Sequence, residues 1–427
     1  MSVVIEGKGE AANGPPRAGE RATYEVPEGF ASETAGVRSK AAALVPIYGV
    51  TLIDVLGTMI MVPLLPYLAQ HYSASGLTVG AVLTTSAVAG SIASPFWGSV
   101  SDKLGRKRIV LIAQCVSLAG YILLALSQSL TMIFVARAIA GFGSGGLGVT
   151  QSYIADVTDE RSRDRAYSLF SAVFGIGIVL GPVLGGSLIR FGFPVPFAVA
   201  ALIEAVTIVL TLRFLPSIAP AAGRRASFRM ALSALTRDPG VRSIVVRHLL
   251  FIFAVAYFFT VFSLFLKREL NVGPEVSSWM LAGAGLVGGL TLIGLVWPLA
   301  RRFGDAAVAQ GGFVLLVLSY IALAFVHQLW AFGVALAVWA VGAATVEPTL
   351  TTLLSKRAPP RERGAIMGFN DSAGQLALTF APLLGGGAID YDRHLVGVVP
   401  AIAVALAFGI GVLRRSYDVG PTTRAIE

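Results

Sequence analysis

Four side chains have chemistry at odds with their surroundings. Asp54, Arg137, Glu204 and Glu347 each sit in a long stretch that is otherwise almost free of charge. An ionised side chain at the centre of a membrane helix costs about 2.5–3.5 kcal/mol on insertion scales, so it persists where it is paired, wet or protonated. Low dielectric and a neighbouring guanidinium act on a carboxyl in opposite senses. Their balance decides whether the group exchanges protons near neutral pH, which is the chemistry of proton coupling. The alternative for Asp54 and Arg137 is a fixed ion pair that locks two helices. For Glu204 it is a place against a neighbouring helix or water pocket, without a part in transport.

Those residues need a scaffold, and the composition describes one. Of 427 residues 55% are hydrophobic and only 13% charged, where a soluble protein carries about a quarter. No Asp, Glu, Lys or Arg occurs in 55–101, 109–136, 166–189, 276–300 or 306–346. Uncharged runs of about 20 residues or more read as membrane-spanning helices, and the longest can hold two. Divided at Gly, Pro and charge clusters, the chain gives helices over 44–69, 78–100, 108–127, 131–155, 166–189 and 195–215. A second set covers 243–266, 276–300, 306–326, 329–353, 364–389 and 395–413. The fold class is therefore all-α, a polytopic membrane protein of twelve transmembrane helices. The expected divisions are a disordered cytoplasmic tail (1–43), six-helix bundles (44–215 and 243–414), a cytoplasmic linker (216–242) and a second tail (415–427).

Basic residues orient this topology. Of 33 Lys and Arg, all but Arg137, Arg190, Lys267, Arg268 and Arg393 fall in segments on one side of the twelve-helix layout. The positive-inside rule makes that side cytoplasmic, with both termini there, in the inner (plasma) membrane of the cell. The net charge of +9 then faces anionic lipid, and nucleic acid is not called for. One cysteine, Cys115, and four scattered histidines offer no disulfide framework or metal spacing.

The two halves also resemble each other. GPVLGGSLI (181–189) and APLLGGGAI (381–389) align, Trp97 falls opposite Trp297, and Arg161 and Arg163 fall opposite Arg361 and Arg363. A duplicated six-helix unit with pseudo-symmetry accounts for this.

Between the second and third helices lies GSVSDKLGRKR, with Gly98, Asp102, Gly105 and Arg106. Glycine there permits a tight turn, and the acid can meet a helix N-terminus or an arginine. The first helix carries IDVLGTMIMVPLLPYL, the fourth has Arg137 before AIAGFGSGG, and the fifth has GIGIVLGPVLGG, with Gly177, Gly181, Pro182, Gly185 and Gly186. Across about residues 44–414 these stretches closely resemble the major facilitator superfamily, and within it the 12-helix drug:proton antiporters. The loop is similar to the family's G-x-L-x-D-R-x-G-R-R, and the fifth helix to its antiporter motif G-x-x-x-G-P-x-x-G-G. The second half departs from the pattern. Its loop reads WPLARRFGD, with Arg301 in place of the acid and Asp305 in place of the arginine, so the duplicate is expected not to make the same contacts.

The resemblance implies that helices 1, 4, 7 and 10 line a central cavity. Asp54, Thr58, Met61, Arg137, Gly141, Ser144, Tyr257 and Glu347 would then face the substrate, with a lipid-facing or packing role the equal alternative for Tyr257. Asp54, Arg137, Glu347 and Glu204 would serve proton coupling. Gly98, Asp102, Gly105, Arg106, Asp156 and Arg163 would form a cytoplasmic gate, with Asp156 paired to Arg106 or Arg163. The fifth-helix glycines either pack helices closely or let them hinge.

The expected function is a proton-coupled antiporter exporting small amphiphilic compounds, cationic or zwitterionic, such as drugs. A dedicated exporter of one metabolite and a non-transporting membrane sensor are the alternatives. No cofactor is expected, since the proton gradient supplies the energy and no G-x-x-x-x-G-K-[ST] occurs. The expected partners are a small-molecule substrate, protons and the lipid bilayer, with the chain acting as a monomer. An enzyme is not expected, because no nucleophile–base–orienter set is present. GFGSGG (141–146) fits G-x-G-x-x-G but lies in an uncharged run without a preceding strand, so a dinucleotide site is excluded.

Overall fold

The computed structural model describes residues 28–158, 160–217, 228–359 and 362–413, and side chains only from residue 44 onward. The described chain is helical throughout. In the first half the elements are α1 (Glu28–Met61), α2 (Leu65–His71), α3 (Gly76–Leu104), α4 (Arg106–Ala125), α5 (Leu130–Ser144), α6 (Leu147–Val157), α7 (Glu160–Leu188) and α8 (Pro194–Phe214). A short α9 (Phe228–Arg237) precedes the second half. The second half comprises α10 (Pro239–Glu269), α11 (Pro274–Thr291), α12 (Trp297–Phe303), α13 (Asp305–Phe325), α14 (Leu329–Arg357), α15 (Arg363–Tyr391) and α16 (Leu395–Leu413).

Twelve spans result, because three are broken. The first is interrupted between α1 and α2, where Pro63 and Pro66 remove backbone donors. The fourth breaks at Gly145–Gly146, and the eighth contains a π-helical turn, Leu292–Val296, before α12. Eleven spans are apolar enough to be read from hydropathy alone. The other, α15, carries Asn370, Asp371 and Gln375 among its 29 residues. Two expectations shift at the edges. Helix α1 already runs from Glu28, within the segment expected as a tail, and α9 lies within the expected linker. The remainder of the first tail, residues 218–227 and the tail after Leu413 lie outside the described residues.

The duplication is visible in the packing. In the first half α1 packs on α7 and α8, α4 on α5 and α8, and α3 on α5. The same five pairings recur as α10 on α15 and α16, α13 on α14 and α16, and α11 on α14. Glycine forms the hinge of the equivalent short loops: Gly105 (φ +92°) separates α3 from α4, and Gly304 (φ +83°) separates α12 from α13. Only glycine adopts such a conformation without strain.

The halves meet at the face opposite the basic loops, here the far face. A Cβ on Gly80 would lie 2.2 Å from the Pro382 carbonyl oxygen, and one on Gly386 2.1 Å from that of Gly76. Backbone thus touches backbone where α3 crosses α15. Hydrogen bonds between the halves cluster there. Tyr67 donates to the Val272 carbonyl (2.9 Å), Ser263 to that of Pro63 (3.1 Å), and the Gly76 and Leu77 amides to the Asp390 carboxylate (2.9 and 2.8 Å). Toward the basic face the same two helices part: Ser91, Ser94, Pro95 and Ser99 of α3 and Asp371, Ser372 and Gln375 of α15 are exposed. The molecule is closed at the far face and open at the basic one.

Candidate functional site

In the first half, α1, α4, α5 and α8 converge on a buried polar group. Thr58, one turn beyond Asp54, donates to the Asp54 carbonyl (3.2 Å) and shares a 3.0 Å hydrogen bond with the Tyr121 hydroxyl of α4. Glu204 of α8 is wholly buried, and its carboxyl meets that of Asp54. Among the described residues, no donor group hydrogen-bonds either Glu204 oxygen. Two carboxylates are both acceptors, so a hydrogen bond between them exists only when one carries a proton. Arg137 of α5 lies near Tyr121, with its Nε buried and unpartnered, and forms no ion pair among the described residues. The alternative of an Asp54–Arg137 lock is therefore corrected: Tyr121 and Glu204 are the close neighbours. Glu204 lies where α8 packs along both α1 and α4, the place against neighbouring helices that its alternative also described.

Glu347 belongs to a different group. Both its carboxylate oxygens lie 3.2 Å from His248 Nε2 of α10, and Asp371 of α15 is close by. Glu347 and Asp371 are exposed toward the basic face's opening, whereas the imidazole is buried. Asp54 and Arg137 thus belong to a cluster in the first half, and Glu347 to one in the second. His248 was not legible in the sequence, because a lone histidine on an apolar helix has no spacing signal.

Three residues expected in the cavity are in the protein interior instead. Tyr257 is fully buried and donates to the Leu395 carbonyl of α16 (2.9 Å). Met61 packs in the first-half core with Leu64, Leu65 and Phe197. Gly141 faces α3, where a Cβ would lie 2.4 Å from the Ser86 carbonyl oxygen. Large or featureless side chains at these positions are spent on packing. Ser144, by contrast, is exposed.

The loop residues assemble as a buried knot. Arg106 pairs with Asp102 (2.8 Å) and Asp156 (2.9 Å) and donates to Ser101 Oγ (2.6 Å). Gly98 has open space around it; the Arg163 side chain lies outside the described residues. The second half was expected not to make the same contacts, and among the described residues its pairing is a different one, with Arg301 over the Trp297 ring. Asp305 at the start of α13 pairs with Lys356 at the end of α14 (2.6 Å), the counterpart of Arg106–Asp156 with its charges exchanged. In α7, Gly177, Gly181 and Gly185 each lie against α1, and Gly186 against α11; a Cβ on Gly181 would lie 2.3 Å from that of Met59. Pro182 lies buried within the same continuous helix. Close packing, one of the two roles left open, is what these glycines provide.

Paired six-helix bundles with polar clusters in their interiors, open at one face, define a multi-pass membrane transporter. The sequence model described as "Major Facilitator Superfamily" matches residues 47–382 and again 248–426. The chain belongs to that superfamily. It is 27% identical to multidrug resistance protein 1 of Bacillus subtilis over 82% of this chain and 92% of that protein. It is 24% identical to the quinolone resistance protein NorA of Staphylococcus aureus over 84% and 92%. Among solved structures, the fold matches a bacterial homologue of the human lysosomal transporter Spinster in an inward-facing, unoccupied conformation. That match has a TM-score of 0.68 and 15% identity over 89% of this chain and 96% of that one.

Proposed function

We infer that the chain is a proton-coupled antiporter that exports small amphiphilic compounds, cationic or zwitterionic, by alternating access. The relatives named for drug resistance support the cargo class. The observation that carries the coupling is the contact between Asp54 and a wholly buried Glu204 that no donor group among the described residues satisfies. Two adjacent acids in low dielectric cannot both stay ionised, so one proton held between them is the stable arrangement. Opening this group to either side of the membrane loads or releases that proton. The positive-inside pattern makes the basic face cytoplasmic, so the conformation described is the inward-open one. Each charge carried across contributes about 2.3 kcal/mol per ~100 mV.

The test uses purified protein in vesicles with an internal pH dye and ethidium as cargo. Ethidium addition should move protons in the opposite direction. Asp54→Asn and Glu204→Gln should each abolish that exchange while the protein remains inserted and monodisperse. An unchanged pH profile in both variants overturns the assignment.

A further inference from the structure

Asp54 also borders a second feature, a cavity of about 30 Å³ between α1, α4 and the break in the fourth span. That exceeds the roughly 10–15 Å³ a cavity needs to hold one water. Its polar walls are Thr51, Asp54, Gln114, Ser117, Ser144 and Thr150. The oxygens present themselves as acceptors. Thr51 spends its hydroxyl proton on the Ile47 carbonyl (2.7 Å) and Ser144 on that of Gly141 (2.8 Å). Their lone pairs remain available. Gln114 is only 6% exposed, and its Oε1 is buried without a partner among the described residues. An unsatisfied buried acceptor costs about 1–3 kcal/mol, so something supplies positive charge or a donor to it.

The backbone points the same way. At Gly145 and Gly146 ψ is −16° and −14°, and the Gly146 amide bonds the Gly143 carbonyl at 2.9 Å, an i→i+3 bond in place of the regular ladder. Glycine is required there: a Cβ on Gly143 would lie 2.3 Å from Ser117 Oγ, and one on Gly146 2.6 Å from the Ala113 Cβ. Interrupted membrane helices are tolerated where they line a cavity, and in transporters such breaks coordinate ions.

We propose that Asp54, Gln114, Ser144 and Thr51 form a sodium-ion site at the break between α5 and α6. Oxygen donors suit a hard cation. One carboxylate among neutral oxygens balances a single positive charge, and a divalent ion would leave excess charge in a low-dielectric interior. The charged or titratable groups facing Asp54 are Glu204 from α8 and Tyr121 from α4, with Arg137 of α5 beyond Tyr121. Helix α7, packed along α1, brings no Asp, Glu, Lys or Arg between 166 and 188.

The experiment measures radioactive sodium binding to the full chain in lipid nanodiscs. Saturable binding is expected, displaced by unlabelled sodium and not by choline or potassium. Gln114→Leu and Ser144→Ala should each weaken it about tenfold, the scale on which supporting partners tune ion sites. Ser144→Ala is the safeguard against misfolding, because the residue is exposed and loses only its hydroxyl. Absence of saturable sodium binding, or binding unaltered by both substitutions, overturns the proposal and leaves water in the cavity. Ethidium–proton exchange in sodium-free buffer judges the proton-coupled antiport separately.

Discussion

The two halves share five helix pairings yet differ in how they treat charge. In the first, Arg106 is buried among Ser101, Asp102 and Asp156; in the second, the counterpart pair is a single contact whose Lys356 side chain is 69% exposed. Trp97 is buried and donates to the Phe142 carbonyl (2.8 Å), while its sequence counterpart Trp297 stands exposed under the Arg301 guanidinium, 4.5 Å from the ring centre. The π-helical turn before Trp297 rotates the helix beyond it, since each such turn holds an extra residue. The acids obey the same division: Glu204 is sealed in, and Glu347 faces the opening. Duplication preserved the places where helices touch, and it left the sign and burial of the charges free to diverge.

That contrast is breakable. The largest effect belongs to the sealed acids. Glu204→Gln should abolish pH-dependent exchange, whereas Glu347→Gln should weaken cargo binding and leave proton exchange of the empty carrier intact; equal phenotypes would erase the distinction. Next comes Arg106→Ala, which strands two carboxylates, one of them buried. A buried pair broken on one side loses about 3–5 kcal/mol, so the melting temperature of the detergent-solubilised protein should fall sharply. Lys356→Ala, at an exposed pair worth about 0–1 kcal/mol, should barely move it. A smaller effect is expected at the far face. Partial burial pushes the Asp390 carboxyl up, but the Leu77 amide, Arg268 and the Gly76 amide outweigh it and hold the group below the usual carboxylate range. A lowered value means the clamp is complete above the ordinary Asp range and is lost only as pH falls through the lowered one. Spectroscopic distances across that face should therefore be constant at neutral pH and lengthen in strong acid. Asp390→Asn should flatten that response.

Most of the architecture was legible from uncharged runs, because a bilayer permits little else at that hydropathy. What escaped were features set by tertiary geometry. The breaks in the fourth and eighth spans lie inside uninterrupted apolar sequence. The Asp305–Lys356 pair was hidden because matching residue types, not charge complementarity, guided the comparison of the halves. Asp54 and Glu204 stood out individually as charges in apolar helices, but their contact needs the angle between α1 and α8. Tyr257 and Met61 were placed in the cavity by the helices they belong to, whereas the face of each helix decided otherwise.

The far-face seal has a mechanical corollary. Where Gly76, Gly80 and Gly386 meet peptide groups across the gap, there is no side chain to swing aside like a door. The seam can part only as the rigid bundles rock about it, which favours two discrete postures over a graded series of widths. A bulky residue grafted onto that seam would act as a wedge, holding the molecule ajar on the side where it now rests shut.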